Sequence, residues 1–178
     1  MIGNTIAGGL SVFTPLATNS YFSIATQTVG AGGASSITFS SIPNTYKHLQ
    51  IRLFALNSTW CTVRFNSDTG SNYAGHELRG DGSTVYAGGG NNTQIYAGLG
   101  SGNVSDPSVF VMDILDYANT NKYKTMRTLT GGDANGSGYI QLTSGLWMNT
   151  TAISTISLQM FNGSNFNQYT HAALYGVN

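Results

Sequence analysis

Five of the fourteen charged side chains in this 178-residue chain lie within residues 113–127. A glycoside hydrolase needs two carboxyl groups that face each other across a cleft. Asp113 and Asp116 are three residues apart, so on a β-strand they would point to opposite faces and would not converge. We instead predict a hairpin whose charges pair across its strands or with a neighbouring subunit, each pair contributing about 0.2–1 kcal/mol. This charge cluster consists of Asp113, Asp116, Lys122, Lys124 and Arg127.

Other short motifs resemble catalytic or metal-binding patterns without completing them. His76 and Glu77 are adjacent, and the second histidine of a metalloprotease helix is missing. The "DTGSN" segment begins like an aspartic protease loop, but the chain has no second copy. A calcium ion could take oxygen ligands from Asp68 and Asn72, or from Asp81, yet no EF-hand loop is present. We therefore expect no enzyme activity, metal site or cofactor.

Composition excludes several classes of partner. Only 8% of the residues are charged, and the formal net charge is zero. A nucleic-acid-binding protein or a protein bound to an anionic membrane needs a basic surface, so neither partner is expected. The longest apolar runs are too short to span a membrane. The lone cysteine, Cys61, cannot form an intrachain disulfide, and we interpret it as a small buried residue.

Alternation of apolar and polar residues recurs along the chain and predicts β-strands. It is clear in "KHLQIRLFAL", "WCTVRFN" and "ISLQMF", whereas "SVFVMDIL" is typical of a strand covered on both faces. Segments such as "RGDGS" and "GGGNN" have the Gly, Asn, Asp and Ser content of turns. Ten to eleven such strands predict an all-β, antiparallel β-sandwich over residues 22–178.

The first 21 residues differ from the rest and are predicted to form an extended N-terminal arm. They are apolar, interrupted by glycines and one proline, and show no alternation. An uncharged apolar arm is expected to pack against a neighbouring subunit or another partner. The contact residues predicted for this arm are Ile2, Ile6, Leu10, Val12 and Phe13.

Tyrosines in the Gly- and Asn-rich segments form a second candidate for binding. Aromatic rings can stack on sugar faces, although most aromatic residues in β-proteins belong to strands and cores. We consider Tyr86 and Tyr96 as loop contacts for a ligand, with residues 79–103 and 131–139 as the loops.

Four segments resemble one group of proteins. They are "SSITFSSIPNTYKHLQIRLFALNS", "VRFNSDTGSNYAGHEL", "DILDYANTNKYKTMRTLTG" and "TTAISTISLQMFNGSNFNQYTHAALYGVN". Together they are similar to a recurrent domain in small virion proteins of tailed bacteriophages from marine and freshwater bacteria. The resemblance covers about residues 22–178. It implies a jelly-roll-like sandwich that assembles as a homotrimer on the exterior of the particle.

Two functions follow from this resemblance as expectations. The first is a capsid decoration or cement protein that binds the major capsid protein and stabilises the head. The alternative is a receptor-binding module of a tail fibre or head fibre that contacts a host surface polysaccharide. A small hydrolase is a third and weaker hypothesis, because the chain shows no complete catalytic motif.

Overall fold

The computed structural model describes residues 20–56, 59–100, 106–134 and 136–178. Within these ranges the chain forms twelve β-strands and no helix, which confirms the all-β class. No helix in the described ranges is therefore long and apolar enough to cross a membrane. The strands are β1 (Tyr21–Thr28), β2 (Ser36–Phe39), β3 (His48–Ala55), β4 (Cys61–Phe65), β5 (Tyr73–Gly80), β6 (Val85–Asn92), β7 (Ile95–Gly98), β8 (Ser108–Leu115), β9 (Lys124–Asp133), β10 (Gly138–Trp147), β11 (Ile156–Met160) and β12 (His171–Val177).

The strands form two antiparallel sheets. The larger sheet has the order β1-β12-β3-β8-β9-β10-β5-β6, and the smaller sheet has the order β2-β11-β4-β7. Their facing side chains form one buried core, as expected for a sandwich. Its largest members include Trp147, Phe65, Phe110 and Phe166, and Cys61 is buried among them as predicted. Burial raises the pKa of the Cys61 thiol to about 12.

Eight of the strands form nested antiparallel pairs. β1 pairs with β12, β2 with β11, β3 with β8, and β4 with β7. Successive pairs alternate between the larger and the smaller sheet. The four remaining strands, β9, β10, β5 and β6, continue the larger sheet beyond β8. The larger sheet therefore extends past its partner on one side.

This extension creates an overhang beside strand β7. β7 is an edge strand of the smaller sheet and packs on β10, β9 and β5. Strand β6, at the edge of the larger sheet, has no fully buried residue. The inner faces of β5 and β6 are thus left open next to β7, and they form one side of a cleft.

Three details differ from what the sequence predicts. The "GGGNN" segment is the second half of strand β6, not a turn, because its backbone pairs with β5 throughout. Strand β8 is covered on one face only within this chain, since Val109 is half exposed. β1 begins at Tyr21, one residue before the predicted start of the domain. The predicted arm contacts at residues 2–13 lie outside the described residues.

Candidate functional site

The charge cluster lies on the hairpin formed by β8 and β9. Asp113 and Arg127 are directly opposite each other on these strands. Asp113 accepts a hydrogen bond of 2.9 Å from Gln50 Nε2 on β3. Within the described part of the chain, no carboxylate oxygen lies within 4 Å of an Arg127 nitrogen. Arg127 is exposed, so its guanidinium group is available to a partner.

Asp116 occupies the turn after β8, with a positive φ of 48°. Lys122 Nζ donates a hydrogen bond to Asp116 Oδ2. The Asp116 backbone N–H lies 3.0 Å from His48 Nδ1 and donates a hydrogen bond to it. The hydrogen bond from Lys122 is the main reason why the pKa of Asp116 is lowered. The ion pair between Asp116 and Lys122 therefore joins the two ends of the hairpin loop.

Lys124 does not form the charge pair that the sequence predicts for it. Its side chain is fully buried and points into the sandwich. Its Nζ donates to three backbone carbonyl oxygens, those of Asn119 at 2.5 Å, Lys122 at 2.9 Å and Thr150 at 2.9 Å. Burial lowers its pKa, and the nearby Lys122 charge lowers it further. A buried ammonium group cannot contact another subunit, so the expectation of a charge pair is wrong here.

The two oxygen-rich turns considered for calcium use their carboxylates internally. Asp68 Oδ2 accepts a hydrogen bond from Trp147 Nε1 over 2.7 Å, and Asp68 Oδ1 accepts from the backbone N–H of Gly70 over 2.8 Å. Asp81 Oδ1 accepts from the backbone N–H groups of Ser83 and Thr84. Among the described residues, no group of three His, Cys, Asp or Glu side chains is placed to hold a metal ion.

An aromatic cleft of about 270 Å³ lies under the overhang. The rings of Trp60 and Tyr96 form one wall, with centroids 5.8 Å apart and planes nearly perpendicular. Tyr96 is supported from behind by Phe161, whose ring centroid is 5.1 Å away. Strands β5 and β6 supply the opposite side. The residues that line the cleft are Trp60, Gly75, His76, Glu77, Gly88, Gly89, Gly90, Asn92, Tyr96 and Thr143.

Glu77, on strand β5, is the carboxylate among the residues that line this cleft. Its Oε2 accepts a 2.6 Å hydrogen bond from Nε2 of the buried Gln141. The same Nε2 also donates to Thr143 Oγ1 over 3.1 Å. Partial burial raises the pKa of Glu77, while Arg79 and the hydrogen bond from Gln141 oppose that shift. Among the described residues, no donor bonds to the second carboxylate oxygen, Oε1.

Both tyrosines that the sequence singles out lie at the cleft, although on strands rather than loops. Tyr96 is on β7 and lines the cleft, and Tyr86 is on β6 at its border. The guanidinium group of Arg79 lies over the Tyr86 ring at 5.2 Å and over the Trp60 ring at 5.7 Å. Sequence reasoning missed Trp60 and the glycines of β6, because the register that places them together is not visible in the chain order.

A second surface was also missed, on the outer face of the larger sheet. Buried and exposed residues alternate along β8, β9 and β10, so one side chain in two points away from the core. Many of these outward side chains are large and apolar, each between 41% and 76% exposed. We call this set the outer apolar face. It comprises Phe54, Leu78, Val85, Val109, Leu129, Ile140 and Leu142.

The strand register makes these residues neighbours. Leu78, Leu142 and Leu129 lie side by side across β5, β10 and β9. The adjacent row runs through Ile140, Val109 and Phe54. A polar row that contains Arg127 and Asp113 borders the patch. The apolar run in "SVFVMDIL" was the available signal, because it already indicated a strand that needs cover on both faces.

Comparisons with protein-family models, with curated proteins and with solved structures each found no match. Within the described residues, the candidate binding surfaces are the outer apolar face and the aromatic cleft.

Proposed function

We propose that this chain is a structural component of a bacteriophage particle, a decoration or cement protein on the exterior of the head. In this proposal it assembles as a homotrimer and binds the major capsid protein. The observation that carries the proposal is the outer apolar face, because it is a surface that water solvates poorly and that a partner can cover. The resemblance of the sequence to small virion proteins supplies the identity of the particle.

The size of the outer apolar face favours a protein contact. Seven large side chains, each about half exposed, present an apolar area on the order of 600 Å². That is at the upper end for monomers and approaches the roughly 800 Å² that each partner buries in a standard interface. Its centre is uncharged, and Arg127 and Asp113 stand at its border. A dry apolar centre with a polar rim is the usual anatomy of a protein interface.

We further infer that the sandwich is a jelly roll with two inserted hairpins. The nested pairs β1·β12, β2·β11, β3·β8 and β4·β7 alternate between the sheets, as when one long antiparallel ribbon is folded over itself. The hairpins β5–β6 and β9–β10 are then the insertions that widen one sheet. Viral capsid proteins and lectins both use this topology, so it supports a virion role without selecting it over sugar binding.

The first experiment measures self-association in solution. We expect the purified chain to sediment as a trimer in analytical ultracentrifugation, and the double variant Leu129→Glu, Leu142→Glu to sediment as a folded monomer. Phe161→Glu is the matched control, because Phe161 is as exposed as Leu142 but lies outside the larger sheet. A wild-type monomer, or a double variant that assembles like the wild type, would contradict the assembly proposal.

The second experiment counts copies in purified particles by quantitative mass spectrometry against the major capsid protein. A copy number comparable with that of the capsid protein is expected for a decoration or cement protein. Deleting residues 2–13 tests the proposed arm, since loss of the protein from otherwise intact heads is expected. A few copies per particle would instead support a fibre component.

The second candidate function is a receptor-binding module that contacts host polysaccharide. The aromatic cleft favours it, because Trp60 and Tyr96 expose ring surface beside the carboxylate of Glu77. If this candidate is correct, a variant with a blocked cleft should fail to adsorb to host cells while the particles keep their stability. An adsorption assay with purified particles measures this directly.

A further inference from the structure

We propose that the aromatic cleft under the overhang binds a neutral hexopyranose unit, with Trp60 and Tyr96 as its stacking platform and Glu77 as its hydrogen-bond acceptor. The inference gives the second candidate function a ligand class and a set of contacts. It does not depend on the outer apolar face, which lies on the opposite side of the larger sheet.

The two rings of the platform are held in place by their neighbours. Tyr96 packs against Phe161, and Trp60 meets Tyr96 edge to face. The Arg79 guanidinium group covers part of Trp60 and ties it to Tyr86 on strand β6. Aromatic side chains held in one orientation bind apolar surface at little cost in conformational entropy. The C–H face of a pyranose is such a surface.

Polar atoms with spare hydrogen-bonding capacity line the same cleft. Glu77 Oε1 has no donor among the described residues, while Oε2 is anchored by Gln141. Gln141 is fully buried and also accepts from the Leu99 backbone N–H over 3.2 Å, so it orients the carboxylate rigidly. Asn92 uses one amide hydrogen on the Gly90 carbonyl and retains its side-chain oxygen. Sugar hydroxyls can donate to these two acceptors.

Glycines create the space that a sugar ring would occupy. Gly75 and Gly90 pair across β5 and β6, on the face that carries Glu77. Neither has a positive φ, so the backbone does not require glycine at these positions. A Cβ atom built on Gly90 would meet no heavy atom within 4 Å. Glycine in a strand interior often marks a close approach by a ligand, and here it leaves a hollow beside the rings.

The charge balance selects a neutral ligand. The carboxylate of Glu77 is offset by the Arg79 guanidinium group, whose charge opposes the burial that raises the pKa of Glu77. The cleft therefore has no excess of positive charge to attract a sulfated or carboxylated sugar. Its volume of about 270 Å³ is slightly below the range of about 300–1,000 Å³ for small-molecule pockets, and suits one or two rings.

The test uses the full chain and four neutral disaccharides, namely maltose, cellobiose, lactose and N,N′-diacetylchitobiose. Binding is followed by saturation-transfer NMR and by tryptophan fluorescence. Trp60 lines the cleft and should respond, whereas Trp147 is buried in the core and supplies a constant background. At least one disaccharide is expected to bind saturably. The inference is overturned if none of the four binds the wild-type chain.

Three variants connect the binding to the cleft. Gly90→Phe should abolish it, because the new ring would occupy the hollow, where the Cβ position of Gly90 has no neighbour within 4 Å. Glu77→Gln should weaken it roughly ten-fold, as expected when a hydrogen bond to a charged group is lost. Trp60→Ala should also weaken sugar binding at least ten-fold. This variant is measured by NMR, because the substitution removes the tryptophan whose fluorescence reports binding. Unchanged affinity in Gly90→Phe would locate the binding elsewhere and defeat the inference.

A control variant separates this site from the assembly surface. Leu142→Glu lies on the outer apolar face and should leave sugar affinity unchanged, even where it disrupts oligomers. Sedimentation of Gly90→Phe should match that of the wild type. Leu142→Glu thus tests assembly and Gly90→Phe tests sugar binding, so either proposal can be contradicted without the other.

Discussion

At the scale of single residues, the members of the charge cluster have different roles. Lys124 is buried and bonded to three carbonyl oxygens, whereas Lys122 is exposed and pairs with Asp116 in a turn. Exposed ion pairs contribute little, while buried polar groups are costly to leave without partners. The cluster thus has three separate parts. Lys124 binds backbone carbonyl groups in the interior, and Lys122 pairs with Asp116 in a turn. Asp113 and Arg127 lie opposite each other on two strands.

The role of Lys124 can be tested by substitution. Lys124→Met keeps much of the side-chain volume and removes all three hydrogen bonds, so we expect a loss of about 2–4 kcal/mol in the free energy of unfolding. Asp116→Asn is the control, with an expected change within about 1 kcal/mol, because it alters one exposed pair and asparagine tolerates positive φ. Urea denaturation measures both. Equal effects would contradict this division of roles.

Asp68 should make stability depend on pH. The hydrogen bond from Trp147 is the main reason why its pKa is lowered, and Gly70 and Asn72 add to the effect. A carboxyl group whose pKa is lower in the folded state stabilises that state above its unfolded pKa near 3.8, and the benefit is lost as the pH falls through the folded value.

The comparison that isolates this effect is wild type against Asp68→Asn. At neutral pH the variant should be about 1–2 kcal/mol less stable, because an amide has one acceptor oxygen where the carboxylate has two, so either the Trp147 indole N–H or the Gly70 backbone N–H loses its acceptor. This difference should shrink progressively below about pH 4. Urea denaturation followed by tryptophan fluorescence at several pH values measures it. The lowest pH, about 2.5, is roughly one unit below the unfolded pKa of Asp68. If the stability difference between wild type and variant stays constant down to that pH, Asp68 does not link stability to pH.

At the scale of elements, the contact between β7 and β10 positions the aromatic cleft. β7 carries Tyr96, and its Ile95 packs directly against Gly145 of β10. A Cβ atom on Gly145 would come within 2.5 Å of Ile95 Cγ2. The absence of a side chain at Gly145 therefore sets how closely the smaller sheet approaches the larger one.

Adding one methyl group tests this contact. Gly145→Ala should destabilise the protein by about 1–3 kcal/mol through overpacking, and should displace β7 together with Tyr96. Gly90→Ala is the matched control, since it also lies in a strand without positive φ but has open space around its Cβ position. It should be neutral or slightly stabilising, by about 0.4–1 kcal/mol. Thermal denaturation of both variants distinguishes close packing from a general effect of glycine replacement.

At the scale of the whole molecule, the outer apolar face links stability to assembly. A contact that forms only between folded chains stabilises the folded state by mass action, so Tm should rise with protein concentration. The double variant Leu129→Glu, Leu142→Glu should show a Tm independent of concentration. Because the contact is mainly apolar, added sulfate should strengthen it. An assembly held together by charges would instead become weaker when sulfate is added, because salt screens charges. Scanning calorimetry over a hundred-fold range of protein concentration, with and without sulfate, would show whether the contact is apolar or charged.

Local patterns in the sequence were sufficient to predict the all-β class, most strands and the burial of Cys61. Alternation reports which side of a strand meets the core, and this information is contained within five to ten consecutive residues. The run in "SVFVMDIL" even indicated a strand needing cover on both faces, which a single chain supplies on one face only. Tyr86 and Tyr96 were chosen from the Gly- and Asn-rich segments, and the fold places Tyr96 in the cleft lining and Tyr86 beside it.

Only the tertiary structure decided which distant residues became neighbours. Trp60 meets Tyr96 through the pairing of β4 with β7, and it meets Arg79 because the smaller sheet packs on β5 of the larger one. The outer apolar face joins residues from Phe54 to Leu142 through strand register. The buried position of Lys124 likewise depends on carbonyl groups up to 26 residues away. Long-range pairing brings together residues that have no local relation in the sequence, and both candidate binding surfaces are made in this way.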